Sequence, residues 1–240
     1  MPFPCSRLLT CGAMVLSTMS PAIAQSVCSS EGQSPPTQLM ERFTSADCAT
    51  CWSDPATASA SPGIVVLDYI LPGAKGDAAA LSAVASSDGL DRLALLGQSA
   101  PASASVKAIR VTKPASLSKS TLRVARGLTL SGYIGASIEL KPAPRMTSLK
   151  HLTVWLALVE VLPAGLEGSP VERNLVRNVF QSHWNLGRKL SKEEPLHWFD
   201  QRSMSVAQGV NPDRLQVIGW LADDKGRVVS AAQSKCVAVP

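Results

Sequence analysis

Apolar positions along this chain follow two rhythms. Gln38-Leu39-Met40-Glu41-Arg42-Phe43 and Ile64-Val65-Val66-Leu67-Asp68-Tyr69-Ile70 are short and bounded by turn residues. The second is almost continuously apolar, as a strand covered on both faces of a parallel sheet is. An Ala-rich connection joins them, so the two read as the strands of a β-α-β unit. Residues 77–84 are rich in Ala and Leu and predict a helix, whereas 90–96 fit either a third strand or the end of that helix.

Beyond residue 105 the rhythm changes to strict alternation. Val106-Lys107-Ala108-Ile109-Arg110-Val111 alternates, as does Thr121-Leu122-Arg123-Val124, and Ile134, Ala136, Ile138 and Leu140 share one face. Period 2 with one polar face marks half-buried antiparallel strands. The most apolar stretch, Leu152-Thr153-Val154-Trp155-Leu156-Ala157-Leu158-Val159, stops at Glu160 and predicts a central strand over 152–162. Residues 171–180 predict another. Alternating runs over 215–221 and 226–231 flank Asp223-Asp224-Lys225 and predict a hairpin, while 200–210 read as loop. These strands predict a β-sandwich.

Breaks in the pattern divide the chain. Residues 29–37 carry Gly, Ser and a Pro-Pro pair, and 99–105 are small and unpatterned. The expected organisation is therefore a tether over 25–37, an α/β unit over 38–100 and a sandwich over 106–236. Residues 1–24 are set apart. Arg7, the apolar run 8–19 and Ala22-Ile23-Ala24 have the layout of a secretory signal cleaved after Ala24. That run is shorter than the roughly 20 residues a membrane helix needs, and no later stretch spans a bilayer. The expected location is periplasmic or secreted, with no transmembrane segment once the signal is removed.

Charge adds little. The net charge is +5, and the basic residues are scattered without interleaved aromatics, which argues against nucleic acid as a partner. There is no Gly-rich phosphate loop, no C-x-x-C-H haem site and no paired C-x-x-C zinc framework, so no cofactor is expected.

Cysteines change the picture. With Cys5 and Cys11 lost in the signal, Cys28, Cys48, Cys51 and Cys236 remain in a compartment where disulfides persist. Three pairings are possible; the natural one joins Cys48 to Cys51 and Cys28 to Cys236, the latter as a structural bond bringing the termini together. Cys48-Ala49-Thr50-Cys51 follows the first strand and opens a predicted helix. A thiolate there is stabilised by free backbone N–H groups and the helix dipole, which suits Cys48 as redox nucleophile and Cys51 as resolver. Asp47, next to Cys48, opposes a thiolate. The same pair could instead be a static disulfide, or hold copper or zinc together with a histidine such as His151, His183 or His197. Glu193-Glu194 reads as part of a helix-capping box beginning at Ser191 rather than as paired catalytic carboxylates.

Glu41-Arg42-Phe43-Thr44-Ser45-Ala46-Asp47-Cys48-Ala49-Thr50-Cys51 resembles the opening motif of a bacterial family of secreted thioredoxin-like proteins of unknown function. Val66-Leu67-Asp68-Tyr69 resembles that family's second strand, Leu175-Val176-Arg177 its recurring Val-Val-Arg, and Gly219-Trp220-Leu221 with Gly226-Arg227-Val228 its last hairpin. The family's Gly-Glu-Asn motif and its Thr-Pro opposite the cysteines have no counterpart; Pro101 and Pro114 are poor substitutes. The resemblance implies an α+β protein: a small, or truncated, thioredoxin-like α/β unit followed by an antiparallel β-sandwich. The implied activity is thiol-disulfide exchange through Cys48 and Cys51, with exported protein thiols or disulfides as partners. The alternatives are a non-catalytic binding or assembly module and a metal-handling chaperone.

Overall fold

The alternating and apolar runs become strands, and the pairing between those strands sets the architecture. The computed structural model describes residues 28–141, 149–186 and 198–236. In chain order the elements are β1 (Cys28–Ser29), β2 (Gln38–Ser45), α1 (Ala49–Trp52), β3 (Ile64–Leu71), α2 (Asp88–Leu95), β4 (Ala104–Arg110), β5 (Thr121–Leu130), β6 (Tyr133–Lys141), β7 (His151–Leu162), β8 (Arg173–Asn185), β9 (Trp198–Ser205), β10 (Leu215–Ala222), β11 (Val228–Gln233) and β12 (Lys235–Cys236).

Among the described residues these strands form two sheets. One has five strands in the order β12-β1-β5-β6-β9, and the other has seven in the order β11-β10-β7-β8-β3-β2-β4. Pairing is antiparallel except for β2 with β3 and β3 with β8, the latter through Asp68 opposite Leu175.

Alternation along β7 explains the layering. Val154, Leu156 and Leu158 point into a core closed by Val124, Ile138 and Leu140 of the five-stranded sheet. Trp155, Ala157 and Val159 point the other way, into a core shared with Phe43, Leu67, Tyr69 and Trp220 and covered by Leu93 of α2. Each of these leucines, at most 2% exposed, contributes about 1.5–3 kcal/mol. The sheets pack tightly at Gly219, where a Cβ would lie 2.6 Å from Val124 Cγ1 and 2.7 Å from Ile138 Cδ1. On the far face the Arg92 guanidinium lies 4.9 Å from the centre of the Trp155 ring and pairs with fully buried Glu41 at 2.7 Å.

The expected thioredoxin-like α/β unit followed by a sandwich is not the fold. The described residues form twelve strands and only two α-helices, of four and eight residues. β2 and β3 are parallel, as expected, yet the helix between them is a single turn. Their apolar faces are too large for such a helix to cover. The two strands instead join β7, β8, β10 and β11 in one sheet, and their apolar side chains cluster with those of these strands and with Leu93 of α2.

Local readings also shift. In place of the helix expected over 77–84, Gly76–Ala78 and Ser82–Val84 form two short 3-10 turns, and 88–95 form α2. Part of the segment read as loop is β9, paired with β6 along its length. Of its residues only Met204 is fully buried, so its sequence carries no period-2 signal. The signal segment, His197 and Glu193-Glu194 lie outside the described residues.

Candidate site at the Cys48–Cys51 turn

Parallel pairing places the carboxyl ends of β2 and β3 side by side. The chain leaves β2 through Ala46 and Asp47 into the turn that carries both cysteines. Cys48 caps α1, its Sγ accepting from Cys51 N at 3.3 Å, and lies 3.6 Å from the Thr50 hydroxyl. Ser53 closes the helix by donating from N and Oγ to Ala49 O, and Asp54 Oδ1 then accepts from Ala56 N in a turn that leads the chain away. The helix is one turn long, so it supplies local N–H groups and not the sustained dipole expected from the sequence.

Cys48 and Cys51 form a disulfide with Cα atoms 5.3 Å apart. Both residues are half-buried. The Asp47 carboxylate accepts from Ala74 N at 2.7 Å and Lys75 N at 3.3 Å, in the loop after β3. Gly73 permits this approach, since a Cβ there would lie 2.4 Å from the Asp47 carboxylate.

Behind the turn lies a buried ionic cluster, formed by Arg42 of β2, Asp68 of β3 and Arg173 of β8. All three are at most 3% exposed. Arg173 Nη1 donates to Asp68 Oδ1 at 3.1 Å, Nε to Ser169 Oγ at 2.8 Å and Nη2 to Trp52 O at 2.8 Å. Its guanidinium also lies 4.7 Å from the centre of the Trp52 ring, whose Nε1 donates to Glu167 O at 2.8 Å. Arg42 Nη2 donates to Asp68 Oδ2 at 2.8 Å and to Glu172 O at 3.0 Å, and Nη1 to Ala58 O at 3.1 Å. Its Nε lies 2.7 Å from Asp68 Oδ1 without aiming its N–H at that oxygen. Burial pushes the Arg173 guanidinium below its usual range, with Asp68 opposing and Arg42 reinforcing the shift. The cluster holds two cations against one anion.

A cavity of about 480 Å³ opens beside it. Its walls include Cys51, Thr44, Arg42, Arg173, Asp54 and Val106, the last on β4, which ends its sheet's order and is largely exposed.

Among the expected site residues, then, Cys48 and Cys51 come together in a half-open turn. Cys28 and Cys236 face each other across β1 and β12 in the other sheet, joined by a disulfide with Cα atoms 4.0 Å apart. Arg126 Nη2 donates to Cys236 Sγ at 3.3 Å. His151 and His183 are exposed, on β7 and β8. Among the described residues no group of three His, Cys, Asp or Glu side chains is placed to hold a metal ion.

The cluster behind the turn was not anticipated. A signal for it existed, because Asp68 interrupts an otherwise apolar strand and a buried carboxylate needs a cationic partner.

No family model matches the chain, so the thioredoxin-like family suggested by the opening motif is not confirmed, and no curated protein matches it either. Two solved structures are similar over part of their length. HBP35 of Porphyromonas gingivalis is 11% identical, with 88% of this chain and 82% of that one covered and a TM-score of 0.47. Chicken MD-1 complexed with lipid IVa is 12% identical, with 48% and 88% covered and a TM-score of 0.20. Both TM-scores lie below 0.5, so the fold of this chain stands on its own strand order.

Proposed function

We propose that the protein is exported and exchanges disulfides with other exported proteins through Cys48 and Cys51. One observation carries the reading. The Cys48–Cys51 bond closes a separation of only three residues, is half-exposed, and has Cys51 in the wall of an open cavity. A loop that short restricts the unfolded chain little, so the bond does little for the fold. The bond between Cys28 and Cys236, with a separation of 208 residues, does that work. Two disulfides also suit an oxidising compartment.

The chemistry balances within the site. A substrate thiolate attacks one sulfur of the pair, forms a mixed disulfide and expels the other sulfur as a thiolate. A second substrate thiolate then attacks the substrate sulfur of that mixed disulfide. The substrate leaves as a disulfide, two electrons and two protons having passed to Cys48 and Cys51. In reverse, Cys48 attacks a substrate disulfide and Cys51 resolves it. The cavity suits a polypeptide substrate. Its guanidiniums are engaged by protein acceptors, whereas β4 offers an outer edge of backbone N–H and C=O groups and the exposed Val106.

The test is a redox titration against glutathione with exchange assayed on a reduced, two-cysteine polypeptide. The expected result is a potential above about −300 mV, where structural disulfides cease, with a Cys51→Ser variant, given the same polypeptide in its disulfide form, trapping it on Cys48 as a mixed disulfide while the polypeptide's other sulfur leaves as a thiolate. A lower potential, or no trapped species, would overturn the reading.

A further inference from the structure

We propose that Arg173 is a positioning residue that makes the Cys48–Cys51 disulfide easier to reduce, by holding an uncompensated positive charge behind the turn and fastening that turn to β3. This rests on the exchange reading, and it adds what sets the potential of the pair.

Geometry carries the argument. Arg173 reaches the cysteine turn from β8, through the backbone oxygen of Trp52, the residue after Cys51. The same guanidinium donates to Asp68, so the turn and β3 are joined through one planar fork. Arg42 approaches Asp68 from the other side. One carboxylate therefore serves two guanidiniums, and both cations line the cavity that contains Cys51.

The other carboxylates nearby do not cancel this excess equally. Asp47 is turned to the loop after β3, and Asp54 on the cavity wall is exposed to solvent, which screens it. Reduction creates a thiolate at the turn. A buried positive charge stabilises that thiolate and hence the reduced form, which raises the potential. Cys51 N and the Thr50 hydroxyl, already directed at Cys48 Sγ, make Cys48 the sulfur that carries the thiolate.

Two variants separate charge from shape. Arg173→Met removes the excess cation and leaves Asp68 paired with Arg42. Arg173→Lys keeps the charge but loses the planar fork. The expected result is that Arg173→Met shifts the glutathione exchange equilibrium about tenfold toward the disulfide, or about 30 mV. It should also raise the pH at which Cys48 becomes alkylatable, while Arg173→Lys stays within about threefold of the parent. Equal shifts in both variants, or none in either, would overturn the proposal. Should the variants fail to fold, alkylation of the reduced parent protein decides. Cys48 should react as a thiolate clearly below pH 8.5, the ordinary cysteine value, and reaction only at or above about that pH overturns the proposal. These measurements need only glutathione and an alkylating agent. A failure of the exchange reading, seen as no trapped polypeptide, is thus distinct from a failure here.

Discussion

The two disulfides should differ sharply in what they do for stability. Cys28 and Cys236 are 208 residues apart and close almost the whole described chain into a loop. In the chain-entropy model that restriction of the unfolded state is worth about 5 kcal/mol. Cys48 and Cys51 are three residues apart, and the same relation leaves less than about 2 kcal/mol. Replacing Cys28 and Cys236 together by Ser also frees β1 and β12, two-residue strands at the margin of the five-stranded sheet with little else to hold them. The expected outcome is a drop in melting temperature of roughly 10–20 °C, from about 2–4 °C per kcal/mol for a domain of this size. The Cys48→Ser, Cys51→Ser double variant should lose only a few degrees. The assay is thermal and urea unfolding of the two double variants beside the parent protein under non-reducing conditions. Equal losses in the two variants would refute the argument, because the cysteine turn would then be a structural staple and its short loop no guide to its role.

Two further outcomes follow from contacts in the sandwich. Gly219→Ala would drive a Cβ into Val124 and Ile138 and within 3.3 Å of Trp155 O, so unfolding free energy should fall by about 1–3 kcal/mol; an unchanged urea midpoint would show that the sheets can move apart freely. Burial alone would raise Asp223, but the side-chain and backbone donors of Arg227, with Lys225 N, outweigh it and hold the carboxyl below the ordinary carboxylate range. A depressed carboxyl contributes stability above its unfolded pKa and loses it as pH falls through the folded value. The stability gap between the parent and Asp223→Asn should therefore be full at neutral pH and close below about pH 4; a gap independent of pH in urea unfolding would contradict this.

The charged cluster shows how the fold combines structure with chemistry. Asp68 lies within a strand buried on both faces, where removing a single partner of an ion pair costs about 3–5 kcal/mol. Its partners come from β2 and from β8, and Arg173 is 105 residues away in the chain. The side chains that bury this charge are also those that support the cysteine turn, so the turn inherits its position from a carboxylate buried within a strand. Glu160 follows the same rule. It ends the most apolar run in the sequence and is buried because Arg177 on β8 donates to it, with Nε 3.0 Å from Oε2.

Local patterns carried much of the secondary structure. The alternation of β5 and β6, the apolar runs of β3 and β7 and the hairpin of β10 and β11 were all legible, because side-chain direction in a strand alternates whatever the strand pairs with. The pairing of Cys28 with Cys236 was legible for a different reason: few cysteines leave few choices. The sheet that each strand joins was not legible. An apolar face must be covered, but its periodicity does not say by which layer, and only assembly decided that β2 and β3 extend the sheet of β7 and β8, with β4 added at their edge, instead of closing a separate α/β unit. β9 was invisible because edge pairing to β6 needs backbone hydrogen bonds rather than apolar side chains. At the cysteine turn the sequence determined the residue types and their spacing. The tertiary structure decided what surrounds them: Asp47 directed at the loop after β3, and Arg173 brought in from β8. Charges act across space and not along the chain, so the electrostatics of the pair belong to the fold.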